Sequence, residues 1–244
     1  MFLSFRFKSK RFIIVAFCVL SVIFFAPLFV SASNNSSAKI VYLTFDDGPS
    51  YVTPRLLDIL SKNGVKATFF VTGQYEEYFP VLKQIYDDGH LIALHSYTHN
   101  FSEIYSDTEA FWDDIGRLDQ LIYEQTGTYA EKIIRFPGGS SNTVSSRQVM
   151  KELITQCAEK EYSYIDWTID VRDSVGGAKS PEYIVKKALD QIDEVSVAVI
   201  LMHDGPGQKT APEAADALIK ALKEKGYVFD TLDNLTEEVH HSLP

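Results

Sequence analysis

The sequence predicts an α/β protein whose parallel strands form an open sheet or close into a barrel. Three observations lead there. Seven short runs rich in β-branched and aromatic residues alternate with amphipathic stretches of helical length. That alternation belongs to βαβ units, whose strands run parallel. Finally, the polar groups suited to catalysis each follow an apolar run and precede a helix, the rim where parallel α/β folds carry their sites. Composition agrees: of 244 residues, 45% are hydrophobic and 23% charged, which is globular rather than disordered.

The chain opens with a targeting segment. Residues 1–11 hold Arg6, Lys8, Lys10 and Arg11, residues 12–30 are apolar except for Ser21 and Pro27, and Val30-Ser31-Ala32 offers the small residues of a cleavage site. Residues 1–32 therefore read as a secretory signal peptide, or as an uncleaved N-terminal membrane anchor, since about 20 apolar residues can span a bilayer. Basic residues ahead of the run keep that end inside, so the domain is secreted or faces the cell wall in either case. None of the 33 acidic residues and four of the 23 basic ones precede Ser33, so the remainder is strongly acidic. Such a surface repels phosphate backbones, which excludes nucleic acid as an expected partner. Cys18 lies in the apolar run, leaving Cys157 alone and no internal disulfide in the mature chain.

Residues 33–38 form a polar linker, 39–236 the folded domain, and 237–244 a polar tail in which His240 and His241 are expected to be solvated. Strands are predicted at 39–45, 67–71, 90–94, 133–135, 162–165, 196–202 and 227–229. Helices are predicted at 53–63, 76–88, 107–124, 145–160, 181–194 and 212–225. Thr53-Pro54 supplies a cap and first-turn proline for the first of these. Gly89 and Gly226 follow two others as C-terminal caps. No glycine-rich phosphate loop follows the first strand, which argues against nucleotide binding.

The first strand runs into Asp46-Asp47-Gly48-Pro49, the third into His95-Ser96-Tyr97-Thr98-His99 and the fourth into Arg135-Phe136-Pro137-Gly138-Gly139. The fifth leads through Trp167 to Asp173, and the sixth ends in Leu201-Met202-His203. Asp-Asp-Gly-Pro is also an ordinary turn sequence. Adjacent carboxylates repel, however, and a metal at one with an arginine at the other would relieve them. Histidines four apart suit convergence on one ion or two independent surface positions. Ser96 stands where a zinc protease carries its glutamate base, so a base must come from elsewhere, and the spare aspartate is the supplier. Arg135, ending a buried strand, needs an acidic partner. His203 gains interest over a core histidine because Asp173 at the same rim can orient and charge it. His90 lies at the opposite rim and receives no role. A non-haem iron oxygenase also uses two histidines and a carboxylate, and a sugar-binding protein could keep the scaffold without the reaction.

The segments TFDDGPS, HSYTH, RFPGGSSN, DVRD and LMH, in this order, resemble the polysaccharide deacetylases of the NodB-homology group, carbohydrate esterase family 4. The resemblance spans residues 39–235. It implies a deformed (β/α) barrel of about seven parallel strands and a metal-dependent hydrolase that removes acetyl groups from a polysaccharide. Residue by residue, it implies Asp46 as general base and Asp47, His95 and His99 as ligands of a divalent metal. Zn2+ comes first, with Co2+, Ni2+ or Mn2+ compatible. Arg135 would hold Asp46 charged, and His203 would be the general acid with Asp173 as its partner. The Gly138 N–H would serve the oxyanion, and Leu201 would line the acetyl-methyl pocket. Two positions depart from the family: Gly138 replaces a usual Tyr, and Ser174 replaces the Trp that walls the pocket, a place Trp167 is expected to take. The expected substrate is N-acetylglucosamine of peptidoglycan, with chitooligosaccharides, poly-N-acetylglucosamine and acetylxylan as alternatives.

Overall fold

Alternation along the first strand sets the architecture. In β1 (Lys39–Asp46), Val41, Leu43 and Phe45 pack with the helices, while Tyr42, Thr44 and Asp46 project to the opposite face. The computed structural model describes residues 39–243; the expected signal segment, the linker and Cys18 lie outside the described residues. After β1 come α1 (Thr53–Asn63), β2 (Thr68–Thr72), α2 (Pro80–Asp87), β3 (Leu91–Ser96), α3 (Phe101–Ile104), α4 (Thr108–Thr126) and β4 (Ile133–Ile134). They are followed by α5 (Arg147–Glu159), β5 (Ser163–Tyr164), β6 (Ile169–Asp170), α6 (Pro181–Leu189), β7 (Ala198–His203), α7 (Ala211–Glu224) and β8 (Tyr227–Asp230). Every pairing is parallel, in the order β5-β4-β3-β2-β1-β7-β6, with β8 against the start of β1. The sheet curls into a partial barrel with helices outside, the deformed barrel expected. Among the described residues, no helix is long and apolar enough to cross a membrane.

Besides the short α3, which the sequence reading lacks, and the end of α6 at Leu189 rather than at 194, four details differ from the sequence reading. The eighth strand, β6, is a two-residue segment held by β7, too short to show an alternation. The helix predicted from 76 breaks into a 3-10 turn, Glu76–Tyr78, and then α2, because Pro80 has no N–H to give and fits only a first helical turn. Thr53 does not cap α1; Val52 occupies that position, and the Thr53 hydroxyl is committed to Asp204. The polar tail folds back: Val239 is buried with the inner-face residues, its carbonyl accepts from Asp166 N, and the His241 N–H donates to the Asp166 carboxylate. His240 stacks on Tyr164 and stays exposed on its other side.

Outside the sheet, Leu56, Leu57 and Leu60 of α1, Ile115 and Leu118 of α4 and Leu218 of α7 join one continuous core. Each such side chain contributes about 1.5–3 kcal/mol on burial. Inside, Tyr42, Phe70, Ala93, Ile133 and Val199 make a smaller apolar floor. Two residues further along, the inner face turns polar on four strands, with Thr44, Thr72, His95 and Arg135 in place of the floor residues, stays apolar at Leu201 of β7, and carries Asp46 and His203 two beyond on β1 and β7. Arg135 fills the centre of this layer at 0% exposure, and its guanidinium lies 4.0 Å from the Phe70 ring centroid. Nη1 donates to Thr44 Oγ1 and Asp46 Oδ1, each at 2.8 Å, Nε to Ile165 O at 3.1 Å and Nη2 to Asp166 O at 2.9 Å. Removing one member of a buried ion pair strands the other, so Arg135→Ala is expected to lower unfolding free energy by about 3–5 kcal/mol. Urea denaturation checks this, and a loss below about 1 kcal/mol would contradict the assigned role.

Candidate active site

The chain turns sharply at the end of β1, and Asp47 takes a φ of 74°. A non-glycine residue there is uncommon and must be held by its surroundings. The holding group is Asp204, fully buried beyond β7, whose N–H donates to Asp46 O at 3.0 Å. Ser50 Oγ donates to Asp204 O at 2.5 Å, and Thr53 Oγ1 donates to Asp204 Oδ2 at 2.6 Å while accepting from Ser50 N at 2.8 Å. Gly48 lies flush against that carboxylate, where a Cβ would collide with it. Burial raises the Asp204 carboxyl to about 7.

A parallel arrangement holds the turn between His95 and His99. His99 has a φ of 51°, and its N–H donates to Ser96 Oγ at 2.8 Å. Asp114, buried on α4, accepts from Ser96 Oγ at 2.7 Å, Tyr97 N at 2.6 Å and Thr98 N at 2.9 Å. The sequence reading misses Asp114, although its trace is visible. It is an acid at a position where the Phe111–Ile115–Leu118 stripe of α4 is buried.

These turns bring Asp47, His95 and His99 together. Asp47 Oδ1 lies 3.3 Å from His99 Nε2 and 3.6 Å from His95 Nε2, and one ligand atom from each residue lies within 4.8 Å of the others. Tetrahedral Zn2+ with bonds near 2.0–2.1 Å needs donor separations of about 3.3 Å, so the donor set fits the metal. His95 Nδ1 donates to Arg135 O at 2.8 Å, which leaves the Nε2 lone pair facing the cluster. Burial, with the neighbouring His99, pushes the His95 imidazolium down to about 3, so the ring stays neutral. Asp46 stands apart: Oδ1 takes the Arg135 ion pair at 2.8 Å, and Oδ2 lies 3.8 Å from His95 Nε2. Burial raises its carboxyl above the ordinary range, while Arg135 and His203 pull it back.

His203 lies opposite Asp46 in the β1–β7 register. Its Nδ1 is 2.7 Å from Asp173 Oδ1, and its N–H donates to Asp173 Oδ2 at 2.9 Å. Burial alone would lower the imidazolium; Asp173, with Asp47 and Asp46 behind it, outweighs that and raises it to about 9. Leu201, two residues earlier, shares the inner face and is buried. Gly138 and Gly139 both adopt a φ of 79°, which glycine alone takes without strain. Trp167 packs over Gly139, where a Cβ would come within 2.9 Å of the ring, and its indole lies 5.8 Å from the Arg135 guanidinium. Ser174 is exposed. The Gly138–Gly139 turn is tied down by Asp166, which accepts from Ser140 N at 2.8 Å and Ser140 Oγ at 2.5 Å.

Residues 33–158 match the family model described as polysaccharide deacetylase. A peptidoglycan-N-acetylglucosamine deacetylase of Bacillus cereus is 34% identical over 82% of this chain and 71% of its own length. The peptidoglycan-N-acetylmuramic acid deacetylase PdaA of Bacillus subtilis is 32% identical over 86% of this chain and 76% of its own. Among solved structures, the catalytic domain of a peptidoglycan N-acetylglucosamine deacetylase from Eubacterium rectale superposes with a TM-score of 0.80 at 36% identity, covering 86% of this chain and 96% of that one. A shared family model, two relatives above 30% identity and a common fold place this chain in the polysaccharide deacetylase family of the NodB-homology group, carbohydrate esterase family 4.

Proposed function

We propose that this deacetylase removes the N-acetyl group of N-acetylglucosamine in peptidoglycan, at the outer face of the membrane, with Zn2+ held by Asp47, His95 and His99. One observation carries the reading. A buried carboxylate and a charged imidazole face each other on neighbouring strands, Asp46 opposite His203, with the three-ligand cluster beside them. The names of the relatives support the glycan, and the expected secretory segment supports the location.

Bound Zn2+ would polarise the acetyl carbonyl and lower the pKa of a water toward about 7. Asp46, its carboxyl raised by burial and steadied by Arg135, takes the proton from the attacking water. The Gly138 N–H offers a hydrogen bond to the oxyanion that develops on the carbonyl oxygen. His203, protonated at neutral pH through Asp173, gives its proton to the amide nitrogen as the C–N bond breaks. Acetic acid and the free amine leave; the acid ionises to acetate, and the proton held by Asp46 recharges His203 through solvent. Leu201 and Trp167 flank the place of the acetyl methyl.

Acetate release from an N-acetylglucosamine oligomer, with and without a chelator, tests the function; release that survives complete metal removal would refute it. Asp46→Asn and His203→Ala are each expected to cut kcat by about 100- to 10,000-fold while the protein still binds one Zn2+. Full turnover in either variant would refute its role. The pH profile supplies a separate check. His203 acts as an acid only while charged, so kcat is expected to fall as pH rises through about 9. Asp173→Asn removes the negative partner, and the alkaline limb should move to lower pH. The same group affects stability. Its folded value lies above the ordinary histidine value of 6.5, so its contribution is complete below that pH and is lost as pH rises toward about 9.

A further inference from the structure

Two aromatic rings flank the Gly138–Gly139 turn, and the sequence points to only one of them, Trp167. The other is Phe101, the first residue of α3 and the second after His99. A Cβ placed on Gly138 would lie 3.1 Å from Phe101 Cε1, so this ring fills the space a side chain on residue 138 would take. It stands edge-on to the His99 imidazole, with centroids 5.2 Å apart and planes at 86°. Behind it lies Tyr105, 6.0 Å between centroids, whose hydroxyl donates to Pro137 O at 2.9 Å. The ring is thus fixed by the metal-ligand turn and by the glycine turn together. It remains half-buried beside an exposed Gly138, with surface left to meet a ligand.

We propose that Phe101 is a specificity-determining residue, the aromatic wall on the His99 side of the site against which the sugar ring packs. This deepens the reading above and rests on it. A pyranose presents C–H groups on its faces, weakly positive and apolar, that suit the negative face of an aromatic ring. Phe101 has no proton to transfer and no lone pair for a metal, so its loss should appear in substrate binding. The bare glycine at 138 and the ring at 101 are then one arrangement. The Gly138 backbone keeps its left-handed turn, and the aromatic surface arrives from the start of α3.

The test measures acetate release from penta-N-acetylchitopentaose by the full-length protein loaded with Zn2+. Phe101→Ala and Phe101→Leu are expected to raise KM about threefold to tenfold, the range one aromatic contact supplies. Their kcat and Zn2+ affinity should stay within threefold of wild type. Phe101→Tyr, which keeps the ring, should restore KM to within twofold. An unchanged KM in the Ala and Leu variants overturns the proposal. So does a fall in Zn2+ affinity that accounts for the lost activity, since Phe101 would then only prop His99. Equal recovery by Leu and Tyr overturns it too, because bulk rather than a ring would suffice. The same KM comparison is made on peptidoglycan, and wild type that binds Zn2+ but releases acetate from neither glycan would overturn the proposed substrate and this inference together, a result distinct from unaltered variants of an active enzyme.

Discussion

The structure depends on keeping one guanidinium dry. A buried unpaired charge costs several kcal/mol, so Arg135 is tolerable at the centre of the barrel only if its donors are met. They are met by Thr44 and Asp46 of β1 and by the carbonyls of Ile165 and Asp166, and its flat face lies on Phe70 of β2. Satisfying Arg135 therefore fixes how β1, β2, β4 and the segment after β5 approach one another. The chemistry inherits that geometry. Asp46 holds Nη1 through Oδ1, which leaves only Oδ2 toward His95, and the Arg135 carbonyl sets which nitrogen of His95 is free. Two aspartates adjacent in sequence thus have different partners, Arg135 for Asp46 and the His95–His99 pair for Asp47.

Around it, buried acids act as anchors for strained backbone. Asp47 and His99 both have positive φ without being glycine. Each turn is held by a carboxylate from another element, Asp204 for the first and Asp114 for the second. Asp166 does the same for the Gly138–Gly139 turn and Asp173 for His203. Strain of about 1–3 kcal/mol per residue persists only where the surroundings over-determine it. Outside acids do so here, leaving the functional groups free of structural duty.

Much of this was readable in the sequence because the reaction needs uncommon residues at strand ends. Asp46, Asp47, His95, His99, Arg135, Asp173 and His203 are of types that seldom follow apolar runs by chance, and the structure brings them to one rim. What escaped lacked a pattern. The two residues of β6 pair because β7 offers a free edge, and Val239 is a single apolar residue among charged neighbours, although it is buried. Phe101 lies outside every predicted helix and strand, and its approach to Gly138, 37 positions away, follows no sequence pattern. Pro80 and Asp114 did leave marks: a proline inside a helical stretch and an acid inside an apolar stripe.

The last residues of the domain join this machinery. The Asp166 carboxylate that receives Ser140 also receives the His241 N–H, and the His241 ring reaches the Trp167 carbonyl. The C-terminal segment is therefore a brace for the Gly138–Gly139 turn. Trimming the chain before His241 would slacken that turn, and an affinity tag fused just beyond it would tug on it. A handle for purification or immobilisation belongs elsewhere on the molecule.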